Sequence, residues 1–460
     1  MLATRNERLL RVMSSMKPFS PALIVVCAAL SGCATHLDRL QPIRDAFYAG
    51  DVTSARTQVV EIARKRRGET DVLQLDRAMI ELAAGRPAEA EKLLRTARDR
   101  FDVLEQKSLA EDAASLATDD TVRSYAAEDY EKVLIRTMLA LSNLMNGGGD
   151  AAAYALQINE KQTEILDSLA DKDVDGWLKG EAYKQVALGP YIRAMIAEES
   201  PLTLDDAVRA RVQVANFAPD FRDAKADLQR AQHEVPIPPG HGVLYVFALV
   251  GRGPVKEETN AEVTQAALLV ADRIVSAVSP RGLPPTLAPV PIPRVVTTSP
   301  TADHVLVSIG GKAVGPTATI VDVGHMATLQ QEARTPEIIG RAVARRVLKK
   351  GAIYAIKEGV DATPWSAASI ALNVVGIAWE ASEQADLRCW GLLPDRIQVL
   401  RITLPAGEHE LRLHTADRRG TFGIPADKTV RVLDGRNTYM LGQFPDSSLV
   451  GEIVTSHDAE

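Results

Sequence analysis

A short motif that occurs twice, 35 residues apart, constrains the fold of this chain more than any other feature. Ala49-Gly50-Asp51 leads into Ala55, and Ala84-Gly85-Arg86 leads into Ala90. In each copy further apolar residues follow at helical spacing, namely Val59 and Ile62 in the first and Leu94 and Ala97 in the second. Gly readily ends a helix, and a small Ala lets two helices cross closely. The motif therefore predicts pairs of helices joined by tight turns.

These pairs resemble the tetratricopeptide repeat, whose period is 34 residues. Ala is abundant and apolar residues recur every three or four positions from Leu37 to about Gln232, as is typical of helices. A long helix is predicted over Glu128–Leu144, with a partner from Ala151, and a weaker copy of the repeat follows near Asp206. We expect three or four hairpins stacked as a solenoid; an unrelated helical bundle is the alternative. The concave groove of such a solenoid either binds a partner or packs on the chain's own C-terminal half.

The N-terminus has the pattern of a bacterial lipoprotein signal. Four basic residues precede a short apolar run from Ala22 to Leu30, which is too short to span a bilayer. Leu30-Ser31-Gly32-Cys33 follows and is similar to a lipobox, which implies lipid attachment at Cys33 and removal of residues 1–32. Ala34, in place of Asp, implies the outer membrane. An ordinary secretory signal with a chance Cys is the alternative, and translation can start at Met1, Met13 or Met16.

The composition argues against a dedicated nucleic-acid binder. Removal of residues 1–32 takes away four basic residues and one acid, which leaves 49 basic and 59 acidic residues and a net charge of −10. Nucleic-acid binders usually carry a basic excess, and only 5% of the residues are aromatic. Cys389 is then the only Cys besides Cys33, so no internal disulfide is expected. Its apolar neighbours predict a buried, unreactive thiol.

The second half of the chain changes to a mixed pattern after a Pro- and Gly-rich cluster at residues 235–242. The apolar run Val243–Val250 predicts a buried strand, and a helix is predicted from Thr335 to about Glu358. Further strands are predicted at 304–309 and 317–323. Near the C-terminus, Leu404–His409 and Asp434–Asn437 have the residue types of hairpin turns. The first of these turns is similar to that of small PEGA-type β-domains.

The predicted fold class is α+β and multidomain: a TPR-like α-solenoid, then an α+β domain that ends in a small β-sandwich-like unit. The predicted units are a lipoprotein signal over 1–32, a TPR-like helical domain over 33–234, an α+β domain over 240–395 with a Pro-rich segment at 280–294, a PEGA-like β-hairpin region over 396–445, and a tail over 446–460.

The order of these features is similar to that of an uncharacterised family of bacterial outer-membrane lipoproteins. That family has degenerate tetratricopeptide repeats and a C-terminal PEGA-like β region. The resemblance rests on four stretches, Asp129–Leu134, Gly251–Lys256, Arg341–Arg345 and Ala385–Val399. It implies the lipid anchor, the order of the elements and a body that faces the periplasm, and it implies no activity.

No motif for a metal, a cofactor or a catalytic nucleophile was found, so we predict a non-enzymatic protein without a cofactor. Three sets of residues are candidates for binding. A helix face that could contact a partner comprises Tyr130, Glu131 and Arg136. A C-terminal polar cluster, either a buried ion pair or a ligand pocket, comprises Arg252, Asp386, Arg388 and Trp390. A basic stripe that could meet anionic lipid or an acidic partner, or simply face solvent, comprises Arg341, Arg345 and Lys349.

We therefore predict a lipid-anchored, periplasmic outer-membrane lipoprotein that binds or scaffolds an envelope protein or peptide through its groove. Its other partner is the membrane, through the lipid, and no nucleic acid is expected. One alternative is binding of peptidoglycan or polysaccharide by the C-terminal β region, although few Trp and Tyr residues lie there. A hydrolase with an unfamiliar site is a third, weaker interpretation.

Overall fold

The computed structural model describes residues 35–115, 125–170, 180–233, 237–278, 289–359 and 384–456. The predicted signal over 1–32, the lipid site Cys33 and residues 280–288 of the Pro-rich segment lie outside this part of the chain. Within it, the protein is mixed α and β, with a helical region first and sheets after it.

The described residues up to 233 form nine α-helices, and each helix packs against the next along the chain. They are α1 (His36–Tyr48), α2 (Val52–Lys65), α3 (Thr70–Ala83), α4 (Pro87–Ser115), α5 (Asp129–Met145), α6 (Ala151–Ala170), α7 (Leu188–Ala197), α8 (Leu204–Phe217) and α9 (Ala224–Gln232). The predicted helices over Glu128–Leu144 and from Ala151 are confirmed. We call α1–α9 the helical array.

The two copies of the sequence motif form equivalent turns. Gly50 has φ +84° between α1 and α2, and Gly85 has φ +72° between α3 and α4, so both occupy the left-handed region that favours Gly. In both turns the amide after Gly donates to the carbonyl five residues earlier, at 2.9 Å, which closes the end of the first helix. The small and apolar residues after each turn are buried, namely Ala55, Val59, Ala90, Leu94 and Ala97.

The C-terminal half contains two five-membered sets of strands and a small lobe. The strands are β1 (His241–Val250), β2 (Val255–Ala261), β3 (Val290–Val296), β4 (His304–Ile309), β5 (Lys312–Pro316), β6 (Ala318–Asp322), β7 (Arg396–Pro405), β8 (Gly407–Asp417), β9 (Gly420–Thr421), β10 (Ala426–Val432), β11 (Asn437–Phe444) and β12 (Val450–Thr455). The central sheet has the order β12-β11-β1-β7-β6, and the outer sheet has the order β10-β8-β4-β5, with β9 beside β8. In the lobe, β2 pairs with β3, and two helices, α10 (Gln265–Val278) and α11 (Val323–Gly359), pack on each other.

Strand β1 is buried along almost its whole length because both of its faces are covered. Alternate side chains of a strand point to opposite faces. Tyr245 and Phe247 belong to the same apolar core as the helical array, whereas Leu244 and Val246 belong to a second core shared with the outer sheet. The central sheet is therefore the middle layer between the helices and the outer sheet, which explains the continuous apolar run that predicted this strand.

Both predicted hairpins are wrong, although both turns exist. The turn after β7 leads to β8, and β7 pairs with β1 and β6 whereas β8 pairs with β4 and β10. The turn at residues 433–436 likewise leads from β10 in the outer sheet to β11 in the central sheet. Each turn therefore carries the chain from one sheet to the other. The region 396–445 is shared between both sheets and is not a separate PEGA-like unit.

Two further expectations need correction. Residues 446–460 were predicted as a tail, but β12 lies within them and pairs with β11 at the edge of the central sheet. Helix α11 was predicted to begin at Thr335, but it begins at Val323, where Asp322 accepts a hydrogen bond from the amide of His325 at 2.9 Å. Pro336 therefore lies inside a helix whose start is set by an Asp cap.

Docking of the central sheet on the helical array requires Gly451. This residue has φ +71°, and a Cβ atom there would overlap the carbonyl group of Ala83 at the end of α3. We expect Gly451→Ala to lower the free energy of unfolding by about 2–4 kcal/mol, because backbone strain adds to the overlap. Gly435→Ala is the matched control, since Gly435 has φ +68° and open space around it. Equal losses in urea unfolding of the two variants would contradict this account.

Candidate functional site

The chain's own C-terminal half packs against the helical array. Residues 384–395, which we call the inserted segment, contain neither helix nor strand and connect to β7. Trp390 is fully buried there, and Leu392 and Leu393 belong to the core shared with the helices. The helical array thus covers its own inserted segment together with one face of the central sheet.

Three helices hold three successive residues of the inserted segment by their backbone atoms. The amide of Trp390 donates to Glu131 Oε1 of α5 at 2.7 Å, and the amide of Leu392 donates to Asp76 Oδ1 of α3 at 2.9 Å. The carbonyl of Gly391 accepts a hydrogen bond from Arg44 of α1 at 2.6 Å. Such contacts bind an extended chain by its backbone, as hydrogen bonds to a bound peptide do.

The two carboxyl groups in this contact have raised pKa values. Burial raises the pKa of Asp76 to about 8. The amides of Leu392 and Gly391 and the charge of Arg44 lower this pKa, but their combined effect is smaller than that of burial. Burial also raises the pKa of Glu131, which accepts further hydrogen bonds from the Tyr125 hydroxyl and the Glu128 amide. Among the described residues, the second oxygen of Asp76 has no hydrogen-bond partner.

Cys389 lies in the same contact and is buried, as predicted. Burial and the nearby Glu131 raise the pKa of its thiol to about 12. Because the thiolate is the reactive form of Cys, this thiol is unsuited to nucleophilic chemistry near neutral pH.

The predicted helix face at Tyr130, Glu131 and Arg136 does not lie open to a partner. All three side chains are buried, and Glu131 holds the inserted segment. Arg136 pairs with Asp102 of α4 through two contacts of 2.8 Å and donates to the carbonyl of Lys132. The periodicity placed these residues on one helix correctly, but it did not show that the chain itself fills the groove.

The predicted C-terminal polar cluster is divided between two places. Asp386 pairs with Arg388, whose guanidinium also donates to the carbonyl of Gly68 at 3.1 Å. Arg252 instead pairs with Asp446 at 2.6 Å and lies 4.2 Å above the ring of Tyr48 in α1. The predicted cluster is therefore two separate ion pairs. Each of them also contacts the helical half of the chain, Arg388 at the carbonyl of Gly68 and Arg252 at the ring of Tyr48.

The basic stripe lies on α11, but it is not a free charged surface. Arg341 pairs with Glu337 one turn earlier, at 2.8 Å. Arg345 lies on the same helix and also has an interaction partner, so its charge is not free either. The side chain of Lys349 lies outside the described part of the structure.

A cleft remains open where the helical array meets the C-terminal lobe. It has about 370 Å³ of empty space, open solvent included, and it is lined by residues of α5, β2, β3 and α11, namely Glu128, Asp129, Tyr130, Lys256, Pro293, Val295, Ala327, Gln330, Gln331, Arg334 and Ile338. We call it the junction cleft. One wall is apolar, and the other carries two acids and two bases.

The charges of the junction cleft pair with one another across the junction. Lys256 of β2 contacts Glu128, and Arg334 of α11 lies 3.6 Å from Glu128 and 3.5 Å from Asp129. Although burial alone would raise their pKa values, the nearby cations lower the pKa of both acids. These pairs keep the charges compensated while they join α5 to the lobe.

Among the polar residues of the cleft, Gln330 and Arg334 each have a buried side-chain atom without a hydrogen-bond partner in the described part of the structure. Gln330 is the uncharged one of the two. Its side chain is only 5% exposed, and its amide oxygen has no hydrogen-bond partner among the described residues. A buried acceptor without a donor costs about 1–3 kcal/mol of stability, and a hydrogen bond from a ligand would offset this cost. An enclosed acceptor beside a cleft is a candidate contact for a ligand that enters the cleft.

Sequence reasoning missed Asp76, Lys256 and Arg334. A signal for Asp76 was present, because it shares a helix face with Val72 and Met79, both of which are buried. A lone acid on an apolar face predicts a buried hydrogen-bond acceptor. No local pattern marks Lys256 or Arg334 as cleft residues, since the acids that they meet across the junction, Glu128 and Asp129, lie far away in the chain.

No family model, curated protein or solved structure matches this chain. In the part of the chain described, no helix combines the length and the apolar character needed to cross a membrane. Those same residues include no group of three or more His, Cys, Asp or Glu side chains that could hold a metal ion.

The raised pKa of Asp76 predicts how pH changes stability. Between its usual value of 3.8 and about 8, the folded chain binds more protons at this site than the unfolded chain. The contribution of Asp76 is therefore largest at low pH and decreases as pH rises to about 8. Asp76→Asn keeps the acceptor for Leu392 and removes the titration. We expect the unfolding free energy of the variant, relative to wild type, to increase by about 1.4 kcal/mol per pH unit within this window.

Urea unfolding of both proteins at pH 5, 6, 7 and 8 measures this difference. The exposed Asp205→Asn is the control, because a solvated carboxylate has similar surroundings in the folded and unfolded chain. A difference between Asp76→Asn and wild type that does not change with pH would contradict the account.

Proposed function

We propose that this chain is a non-enzymatic binding or scaffolding lipoprotein, anchored at Cys33 to the outer membrane and facing the periplasm. We further propose that its envelope partner, a protein or a peptide, binds at the junction cleft rather than in the groove of the TPR-like array. The unpartnered oxygen of Gln330 is the observation that carries the choice of the cleft.

The occupied groove supports this choice by exclusion. A partner in the groove would have to displace the inserted segment, whose Trp390 is fully buried. Exposing such a side chain costs on the order of 3 kcal/mol before the lost hydrogen bonds are counted. The junction cleft needs no displacement of this kind.

The chemistry of the cleft favours binding of a peptide segment. Gln330 offers an acceptor for an N–H group, and Val295 and Ile338 add apolar surface to the lining of the cleft. Its acids and bases already compensate one another, so they provide neither a free base nor a free acid for catalysis. A neutral backbone with small apolar groups therefore fits this site better than a charged substrate.

Photocrosslinking in cells tests the site. A photoreactive amino acid at Ile338, at the cleft, should capture one envelope protein, and the same residue at Leu156, on the outer side of α6, should not. Gln330→Leu should reduce the yield at Ile338 about fivefold to tenfold, because it removes one buried acceptor. Gln58→Leu is the matched control, since Gln58 also has a buried amide oxygen without a partner but lies in α2. Equal yields in the two variants, or the same products at Ile338 and Leu156, would contradict the proposal.

The anchor is tested separately by fractionation. Wild type should sediment with outer membranes, whereas Cys33→Ser behind a cleavable signal should be recovered in the soluble periplasm. Recovery of both proteins in the same fraction would overturn the lipid anchor without bearing on the cleft.

A further inference from the structure

A compact basic sequence lies at the end of α2. Arg64, Lys65, Arg66 and Arg67 are consecutive, and all four side chains are exposed. We call these four residues the basic turn. Because α2 folds back along α1 after the turn at Gly50, the end of α2 lies beside the beginning of α1.

Contacts of Glu69 fix this placement. Glu69 follows the basic turn after one residue, Gly68, and its carboxylate lies 2.9 Å from His36 Nδ1 and also contacts Arg39. Both partners belong to the first turn and a half of α1. The basic turn is therefore held next to the point where the described chain begins, at Thr35.

The basic turn retains uncompensated charge. Lys65 lies 3.6 Å from Glu61, but no salt bridge to Arg64, Arg66 or Arg67 is found among the described residues. The nearest acid in the chain, Glu69, is buried and already paired with His36 and Arg39. At least three guanidinium groups thus remain available to an external anion.

The covalent chain brings this surface to the lipid. Thr35 follows Cys33 by two residues, so an acylated Cys33 holds the beginning of α1 within about 7 Å of its own position. The screening length at physiological salt is about 8 Å, so charges beside Thr35 fall within the field of the headgroups.

We propose that the basic turn docks on anionic lipid headgroups of the leaflet that holds the acyl chains. This inference rests on the lipid attachment at Cys33 in the proposed function. Lipid anchors are commonly assisted by basic side chains of this kind, each of which strengthens binding to anionic membranes. The mature chain as a whole has a net charge of −10, so the chain outside the basic turn is strongly acidic and is repelled by the same surface. The two effects orient the body with the α1–α2 end toward the membrane.

The basic stripe on α11 is the competing surface. Its Arg341 is already paired with Glu337, and within the described ranges no contact ties the stripe to the beginning of α1. The basic turn has both uncompensated charge and a short covalent tether, which favours it as the lipid contact.

Vesicle binding by the purified mature chain carrying Cys33→Ser tests the proposal, because this chain has no acyl anchor. We expect binding to vesicles of phosphatidylcholine with 30% phosphatidylglycerol at low salt, and no binding to phosphatidylcholine alone or at high salt. Arg66→Gln with Arg67→Gln should weaken the partition about tenfold to thirtyfold. Arg418→Gln with Arg419→Gln is the matched control, since these residues are adjacent and exposed in the turn between β8 and β9, and it should bind as wild type does.

Three outcomes would overturn the proposal: no binding of wild type to anionic vesicles, equal binding by the Arg66/Arg67 variant and wild type, or a comparable loss in Arg341→Gln with Arg345→Gln. Inorganic phosphate that competes as well as vesicles do would identify a simple anion site and also overturn it. The vesicle assay uses no acyl chain, so a negative result there leaves the fractionation result for Cys33 unaffected. A negative fractionation result likewise leaves the vesicle assay unaffected.

Discussion

Carboxylates of two helices that hold backbone amides of a distant segment determine how the two halves of this protein fit together. Asp76 and Glu131 accept the amides of Leu392 and Trp390 across separations of more than 250 residues in the chain. A buried carboxyl group is costly in an apolar core unless it is hydrogen-bonded or protonated, and here the amides and the raised pKa values meet that requirement. Strand β7 begins directly after this segment, so the contact also places β7 beside β1.

The same contact explains why the groove is not a free binding surface. Repeats of helical pairs present a concave face whose apolar residues must be covered. In this protein, β1, β11 and the inserted segment cover that face from within. The result is one apolar core that runs from α1 to β12, and the junction cleft opens between α5 and the lobe.

Local features of the sequence predicted local structure well. The Gly50 and Gly85 turns, the helix at 129–145 and the strand at 241–250 all follow from short-range periodicity and from the conformational freedom of Gly. The two hairpins failed because turn residues show that the chain reverses, but not which strand it pairs with. Parallel pairing of β1 with β11 leaves no local trace in either strand, and neither does the pairing of β8 with β4.

The candidate site shows the same limit at the level of side chains. Tyr130 and Glu131 were assigned correctly to one helix, and their apolar setting was visible in the sequence. Whether a foreign peptide or the chain itself lies against them depends on contacts more than 250 residues away. Asp386 pairs with Arg388 inside the predicted cluster, as its residue type suggested, whereas Arg252 pairs with Asp446, which no sequence pattern indicated.

The position of β1 in the central sheet has a consequence for synthesis of the protein. Strand β1 emerges from the ribosome roughly 150 residues before β7 and still longer before β11, yet it needs both as neighbours. During that interval its two apolar faces and both of its edges stay unsatisfied, as does the concave side of the helices. We therefore expect this chain to need protection from aggregation until β11 is available, and fragments that end before residue 437 to be degraded.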